Sequence, residues 1–224
     1  MTDSLIFPGN IFLNPPYEKI YSRLGYKKST TQITLSQRRE TDRYIEEAAS
    51  FILLKGSILQ TIISKNDGEE ITLAGNVTFS SKKLSALLKD CPGAVLMGAT
   101  AGNGIMDAIG EKTNSDDLAA AVVYDATASE MVDAALDWII DYLNQQLRRD
   151  GKRMLPRRFS AGYADFKLEN QKVIYEKLEM GKIGVAINSG FILLPEKSVT
   201  AISGICSFAS NSSQPENYAD EDRE

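Results

Sequence analysis

The segment Arg157-Arg158-Phe159-Ser160-Ala161-Gly162-Tyr163 holds the residue types best suited to binding a small ligand that carries a carboxylate. A guanidinium grips a carboxylate in a fixed two-pronged fork. Gly162 lets the backbone pass close to a ligand, and Tyr163 offers a ring face and a hydroxyl. The competing reading is a surface loop anchored by a buried tyrosine, and spacing alone does not separate the two. A second constellation is Glu130, Asp133, Asp137 and Asp141, three or four residues apart and therefore a stripe along one edge of a helix. Such a stripe is ordinarily a solvated face. Where the helix meets another element, one of its carboxylates can receive a ligand's ammonium or ribose hydroxyls.

A third candidate, Gly98-Ala-Thr-Ala-Gly102-Asn-Gly104, follows an apolar run. Its glycines permit a tight turn and close approach to a ligand. The spacing, however, is neither G-x-G-x-x-G nor a P-loop, and it reads more readily as a strand-to-helix connection. The 224 residues include no histidine, which removes the Ser-His and Cys-His pairs and the commonest metal ligand. Chemistry is therefore expected from a bound cosubstrate that the protein positions, with no catalytic side chain and no metal site.

The net charge of −5 offers no electrostatic footprint for nucleic acid or anionic lipid. No apolar run is long enough to span a membrane, and MTDSLIFPGN lacks the features of a secretory signal. A cytoplasmic protein with neither a nucleic acid nor a membrane as partner is expected. Cys91 and Cys206 show neither metal-ligand spacing nor a disulfide framework and read as buried free thiols.

The elements that must position these groups follow from periodicity. The chain to about Thr61 reads as helical, with a short amphipathic turn from Tyr17 to Leu24. A stronger helix runs from Ser36 to Leu54, carries Tyr44, Ala48, Phe51 and Leu54 on one face, and ends at Gly56. Runs at Ile58 to Ile63 and Ile71 to Val77 flank Asn66-Asp67-Gly68, a hairpin signal. Ser80 caps a helix ending near Lys89, and Ala94 to Thr100 reads as a buried strand. The longest periodic segment starts at Ser115 and bears Val132, Leu136, Ile139, Leu143 and Leu147; a bend is expected near Thr127 and an end at Arg148 and Arg149. An irregular basic stretch follows from Gly151 to Arg158. A helix from Leu168 to Glu179 comes next, then strands at Ile183 to Asn188 and Val199 to Phe208. The pattern, without strict alternation of strand and helix, predicts an α+β fold. Residues 1–209 form one unit, its N-terminal part to about residue 80 helical, followed by a disordered acidic tail over 210–224.

Arg158-Phe-Ser-Ala-Gly162-Tyr163 resembles the R-x-x-x-G-Y signature of the activation domain of cobalamin-dependent methionine synthase. In the same order stand Ala99-Thr-Ala-Gly102 before the long helix, Asp133 on it, and Ile183-Gly-Val-Ala-Ile-Asn-Ser-Gly-Phe191 with Pro195-x-x-Ser198-Val199 and Ser203-Gly204 after the signature. The likeness covers about residues 85 to 208. The N-terminal part, with Arg23-Leu-Gly25-Tyr26, looks more like free-standing relatives of the domain. Asp133 replaces the glutamate of the fused family and Ala164 a proline. The resemblance implies a mixed or antiparallel twisted sheet flanked by helices. It implies that Asp133, Arg158, Ser160, Gly162 and Tyr163 hold S-adenosylmethionine. It implies reductive methylation of a cobalamin carried by a methionine synthase partner, with flavodoxin or ferredoxin as electron donor. Two alternatives stay open: activation of another corrinoid protein, and a corrinoid-protein clamp that has lost the ligand.

Overall fold

A computed structural model of the chain describes residues 4–27 and 29–207, so the acidic segment 210–224 lies outside the described residues. Seven strands form the main sheet: β1 (Ser4–Ile6), β2 (Lys55–Asn66), β3 (Glu70–Leu73), β4 (Val77–Ser80), β5 (Gly93–Thr100), β6 (Lys152–Met154) and β9 (Ser198–Ser207). Their order is β4-β3-β2-β5-β9-β6, with β1 on β2, and every pairing is antiparallel. β7 (Ala186–Ile187) and β8 (Leu193–Leu194) form a separate ribbon. The architecture is the α+β arrangement predicted, an antiparallel sheet flanked by helices.

Strand β5 is buried along its whole length because both faces of the sheet are covered. Val95, Met97 and Ala99 enter a core beneath α2 (Leu35–Ser50), α4 (Gly104–Asn114) and α5 (Leu118–Leu147). Ala94 and Leu96 enter a second core with α3 (Lys82–Leu87), α6 (Asn170–Lys177) and Phe166. A strand dry on both sides has no polar face to alternate with, hence its continuous apolar sequence.

Helix α5 runs through Thr127, whose hydroxyl donates to the Val123 carbonyl at 2.7 Å. Its cap is Asp117, which accepts from the Ala120 amide at 3.3 Å; the expected cap, Ser115, instead closes α4. Ser81, not Ser80, caps α3. Arg148 and Arg149 lie in a 3-10 turn beyond α5.

The N-terminal part contains more strand than its sequence suggests. Helix α2 stops at Ser50, because the Leu53 amide turns away to donate to the Ala101 carbonyl at 2.9 Å. Gly56 lies inside β2, where a side chain would press on Ile11 and Ile139. The Asn66-Asp67-Gly68 hairpin is present, and a second turn beyond Leu73 adds β4. The basic stretch after Gly151 contains β6, which pairs with β9, and α6 is shorter than predicted, giving way to a 3-10 turn at Met180–Ile183.

Cys91 and Cys206 are joined as a disulfide, with Cα atoms 4.6 Å apart, and are not free thiols. The β5–β9 register sets Gly93 opposite Ile205, which brings residues 115 positions apart together. Sequence spacing carries no trace of that register.

The glycine-rich turn packs against its own chain. Gly98 lies within β5, where a Cβ would collide with Met180. Gly102 has φ +81°, and a Cβ on Gly104 would stand 2.9 Å from the Phe51 carbonyl oxygen. The turn is a strand-to-helix connection. No helix among the described residues is long and apolar enough to cross a membrane.

Helix α1 (Tyr17–Arg23) lies beside α2, tied by two tyrosines one turn apart. The Tyr17 hydroxyl donates to the Glu46 carboxylate, and the Tyr21 hydroxyl donates to Asp42 at 2.8 Å. Burial, then the hydrogen bond to and charge of the accepting carboxylate, push both hydroxyls up to about 12.

Two outcomes are expected. Gly104→Ala lowers stability by about 1–3 kcal/mol in urea unfolding, since the contact is with backbone that cannot swing aside; unchanged stability would show that the turn is slack. For the tyrosines, protonation is favoured by folding. Their stabilisation is therefore complete below the ordinary tyrosine pKa and lost as pH rises toward about 12. The double variant Tyr17→Phe, Tyr21→Phe loses under about 1 kcal/mol per tyrosine at neutral pH. Its difference from the parent chain shrinks in alkaline unfolding titrations.

Candidate functional site

The loop carrying the arginine signature is stitched to β9 at its start. The Leu155 amide donates to the Gly204 carbonyl at 2.8 Å, Phe159 and Ile202 exchange two backbone hydrogen bonds at 2.8 Å, and the buried Ser203 hydroxyl donates to the Arg157 carbonyl at 2.9 Å. Further on, Gly162 adopts φ +91° and its amide donates to the Phe166 carbonyl at 2.7 Å. Asp165 then accepts from the Ser81 hydroxyl at 2.6 Å and from the Lys82 amide at 2.7 Å, tying the loop to the start of α3. The hydrogen bond from Ser81, stronger here than the opposing desolvation, heads the causes that hold the Asp165 carboxyl below its usual range; the Lys83 and Lys82 amides add to it.

Between those anchors Arg158 reaches α5. One guanidinium nitrogen pairs with Asp137, the other with Asp133 at 3.3 Å, and the arginine side chain is only 24% exposed. The second Asp137 oxygen accepts from the Lys19 ammonium of α1 at 2.9 Å. Burial alone would push the Asp137 carboxyl up, but hydrogen bonds from Lys19 and Arg158 outweigh it and hold the group below its ordinary value.

The acidic stripe is therefore not a solvated face. Glu130, nearly buried, accepts from Arg23 at 2.6 Å, and Asp133 and Asp137 face Arg158. One turn before Glu130, Asp125 pairs with Lys197 at 2.6 Å. Asp141 stays exposed.

The structure brings together two of the five predicted ligand contacts, Arg158 and Asp133, and pairs them with each other. Ser160 is half-buried, and its carbonyl accepts from the Tyr163 amide at 3.4 Å. Gly162 is exposed, and the Tyr163 side chain is 68% exposed rather than a buried anchor. Among the described residues no hydrogen bond or ring contact joins Tyr163 to the Arg158 cluster. Lys19 is a member that sequence reasoning left out, and Asp137 entered it only as one carboxylate of the acidic stripe. The available signal was the alternation Tyr17-x-Lys19-x-Tyr21-x-Arg23, which sets two pairs one turn apart on different faces of a short helix. A shallow recess lined by Tyr142, Gln145, Gln146 and Arg149 includes none of these residues. Among the described residues no group of histidine, cysteine and carboxylate side chains is arranged to hold a metal.

An arginine between two carboxylates, beside a glycine turn and an exposed tyrosine, can accept a molecule bearing both a carboxylate and an ammonium group. Such a ligand exchanges its own charges for those of the internal pair.

No family model matches the chain, and no curated protein matches it in sequence. Among solved structures it is similar to the MetH reactivation domain, crystallised bound to AdoHcy (S-adenosylhomocysteine), with a TM-score of 0.63 and 13% identity. The alignment covers 96% of this chain and 81% of that one. The chain has the fold of the MetH reactivation domain.

Proposed function

We propose that this protein binds S-adenosylmethionine at the Arg158 loop and supports re-methylation of a cobalamin carried by a methionine synthase or a related corrinoid protein. One observation carries the reading: Arg158 and Asp133 stand 3.3 Å apart at the junction of loop and helix. They form a charge pair complementary to the carboxylate and ammonium of an amino-acid head group. The shared fold supports it, the more so because that neighbour was crystallised with the demethylated form of the same cosubstrate. When bound, S-adenosylmethionine would supply the methyl group of its sulfonium to the partner's cobalt(I) corrinoid, leaving S-adenosylhomocysteine, and the electron that brings cobalt(II) to that state would come from a flavodoxin or ferredoxin. Arg158 orients the cosubstrate through its carboxylate, Asp133 through its ammonium, and the exposed Tyr163 offers a ring to the remainder. Positioning of this kind is worth several kcal/mol of barrier, and no histidine is needed for it. The reading places the protein in the cytoplasm, where such donors operate.

A second reading, a clamp on a corrinoid protein that binds no cosubstrate, draws on a specific observation. Arg158 is already satisfied by its own chain, through Asp137 and Asp133.

Calorimetry separates the two. S-Adenosylmethionine binds in the micromolar to high-micromolar range, with or without the corrinoid partner; no heat in either case favours the clamp. Arg158→Ala weakens binding by about 2–4 kcal/mol, whereas the exposed Arg157→Ala changes it by under about 0.5 kcal/mol. Equal effects would show that the wrong arginine has been assigned. With a cobalt(II) corrinoid partner, a low-potential electron donor and S-adenosylmethionine, the visible spectrum of methylcobalamin appears. Equal accumulation without this protein excludes an activating role.

A further inference from the structure

The two carboxylates that meet Arg158 are not equivalent. Asp137 uses both oxygens, one on the Arg158 guanidinium and one on the Lys19 ammonium at 2.9 Å. Among the described residues Asp133 makes a single contact, at 3.3 Å; the two carboxylates are about equally exposed, at 41% and 43%, so it is the contacts that distinguish them. Lys19 is itself held in place, because its helix is tied on one side to α2 through Tyr17 and Tyr21 and on the other to α5 through Arg23 and Glu130. A carboxylate fixed from two directions keeps its partner's orientation, while one held by a single longer contact exchanges readily for another charge.

We infer that Lys19 and Asp137 are positioning residues that aim the Arg158 fork at a ligand carboxylate, while Asp133 is the exchangeable partner that passes to the ligand ammonium. The inference rests on the reading of S-adenosylmethionine as ligand and divides the site into a carboxylate side and an ammonium side. The carboxylate side depends on α1, an element some 140 residues upstream of the loop in sequence. The division assigns specificity for an α-amino acid carboxylate to residues that never touch it.

The test compares S-adenosylmethionine with its decarboxylated analogue, which keeps the sulfonium and the ammonium. The wild-type chain prefers the complete molecule by roughly tenfold or more. Lys19→Met and Asp137→Asn each weaken S-adenosylmethionine by roughly three- to tenfold and leave the analogue unchanged, so the preference narrows. Lys19→Arg retains it, because a cation remains beside Asp137. Asp133→Asn weakens both ligands to a similar degree. Lys19 is 56% exposed on its side chain, so its replacement leaves the fold intact. Gly104→Ala serves as a control that lowers stability at the turn before α4, away from the Arg158 cluster, without altering the preference.

Equal weakening of both ligands by Lys19→Met would overturn the inference and show that α1 acts only as a structural prop. A narrowed preference in Gly104→Ala would overturn it as well, by showing that the preference follows general stability. Asp137→Asn behaving like Asp133→Asn would overturn the division of labour. A wild-type chain that binds neither molecule, or binds both equally, would sink the reading of the ligand or of Arg158 itself. That outcome is distinct from failure in the variants alone.

Discussion

The charged edge of α5 is the constraint around which the surrounding segments are arranged. Asp125, Glu130, Asp133 and Asp137 stand on it, and each meets a cation from elsewhere: Lys197 before β9, Arg23 and Lys19 on α1, and Arg158 on the loop after β6. Most of these pairs are partly exposed, and such pairs contribute about 1 kcal/mol or less each. The energy of the fold lies in the two cores that sandwich the sheet. What the ion pairs supply is register, since three segments distant in sequence are each pinned to a defined stretch of one helix. The Arg23–Glu130 pair carries the heaviest consequence, because Glu130 is nearly buried and would be left as an uncompensated charge without its partner.

The loop of Arg158 shows how little of its length needs to be stiff. Its first half is zipped to β9 by backbone hydrogen bonds, and Asp165 in its second half closes on the N-terminus of α3. Between them, Gly162 and Ala164 both take positive φ, at +91° and +50°. That geometry lets the chain reverse and lift Tyr163 into solvent. Arg158 therefore stands on the rigid part and the tyrosine on the tip.

How far the sequence disclosed this depends on whether the determining interactions are local. Continuous apolar character marked β5 because burial on both faces leaves no alternation to read. Asn66-Asp67-Gly68 marked its hairpin because turn chemistry is set by adjacent residues. The α+β class was legible because the periods of its helices and strands are local as well. Gly56 misled because a glycine after a helix ordinarily ends it, whereas here Ile11 and Ile139 crowd the position from across the core. The pairing of Cys91 with Cys206 depends on strand register. The partners of Arg158 depend on how α1, α5 and the loop pack, so the acidic stripe stayed open between a solvated face and a ligand contact, and Lys19 was passed over.

Helix α5 spans 30 residues, roughly 45 Å of nearly inextensible rod at the usual helical rise. Its four paired carboxylates occupy the stretch from Asp125 to Asp137, roughly 18 Å along that axis. Because a helix keeps its rise per residue, the axial spacings among these contacts are set by the helix itself. The cations of α1, of the Arg158 loop and of the segment before β9 are therefore placed along one ruler, with Arg158 and Lys19 together at its C-terminal mark.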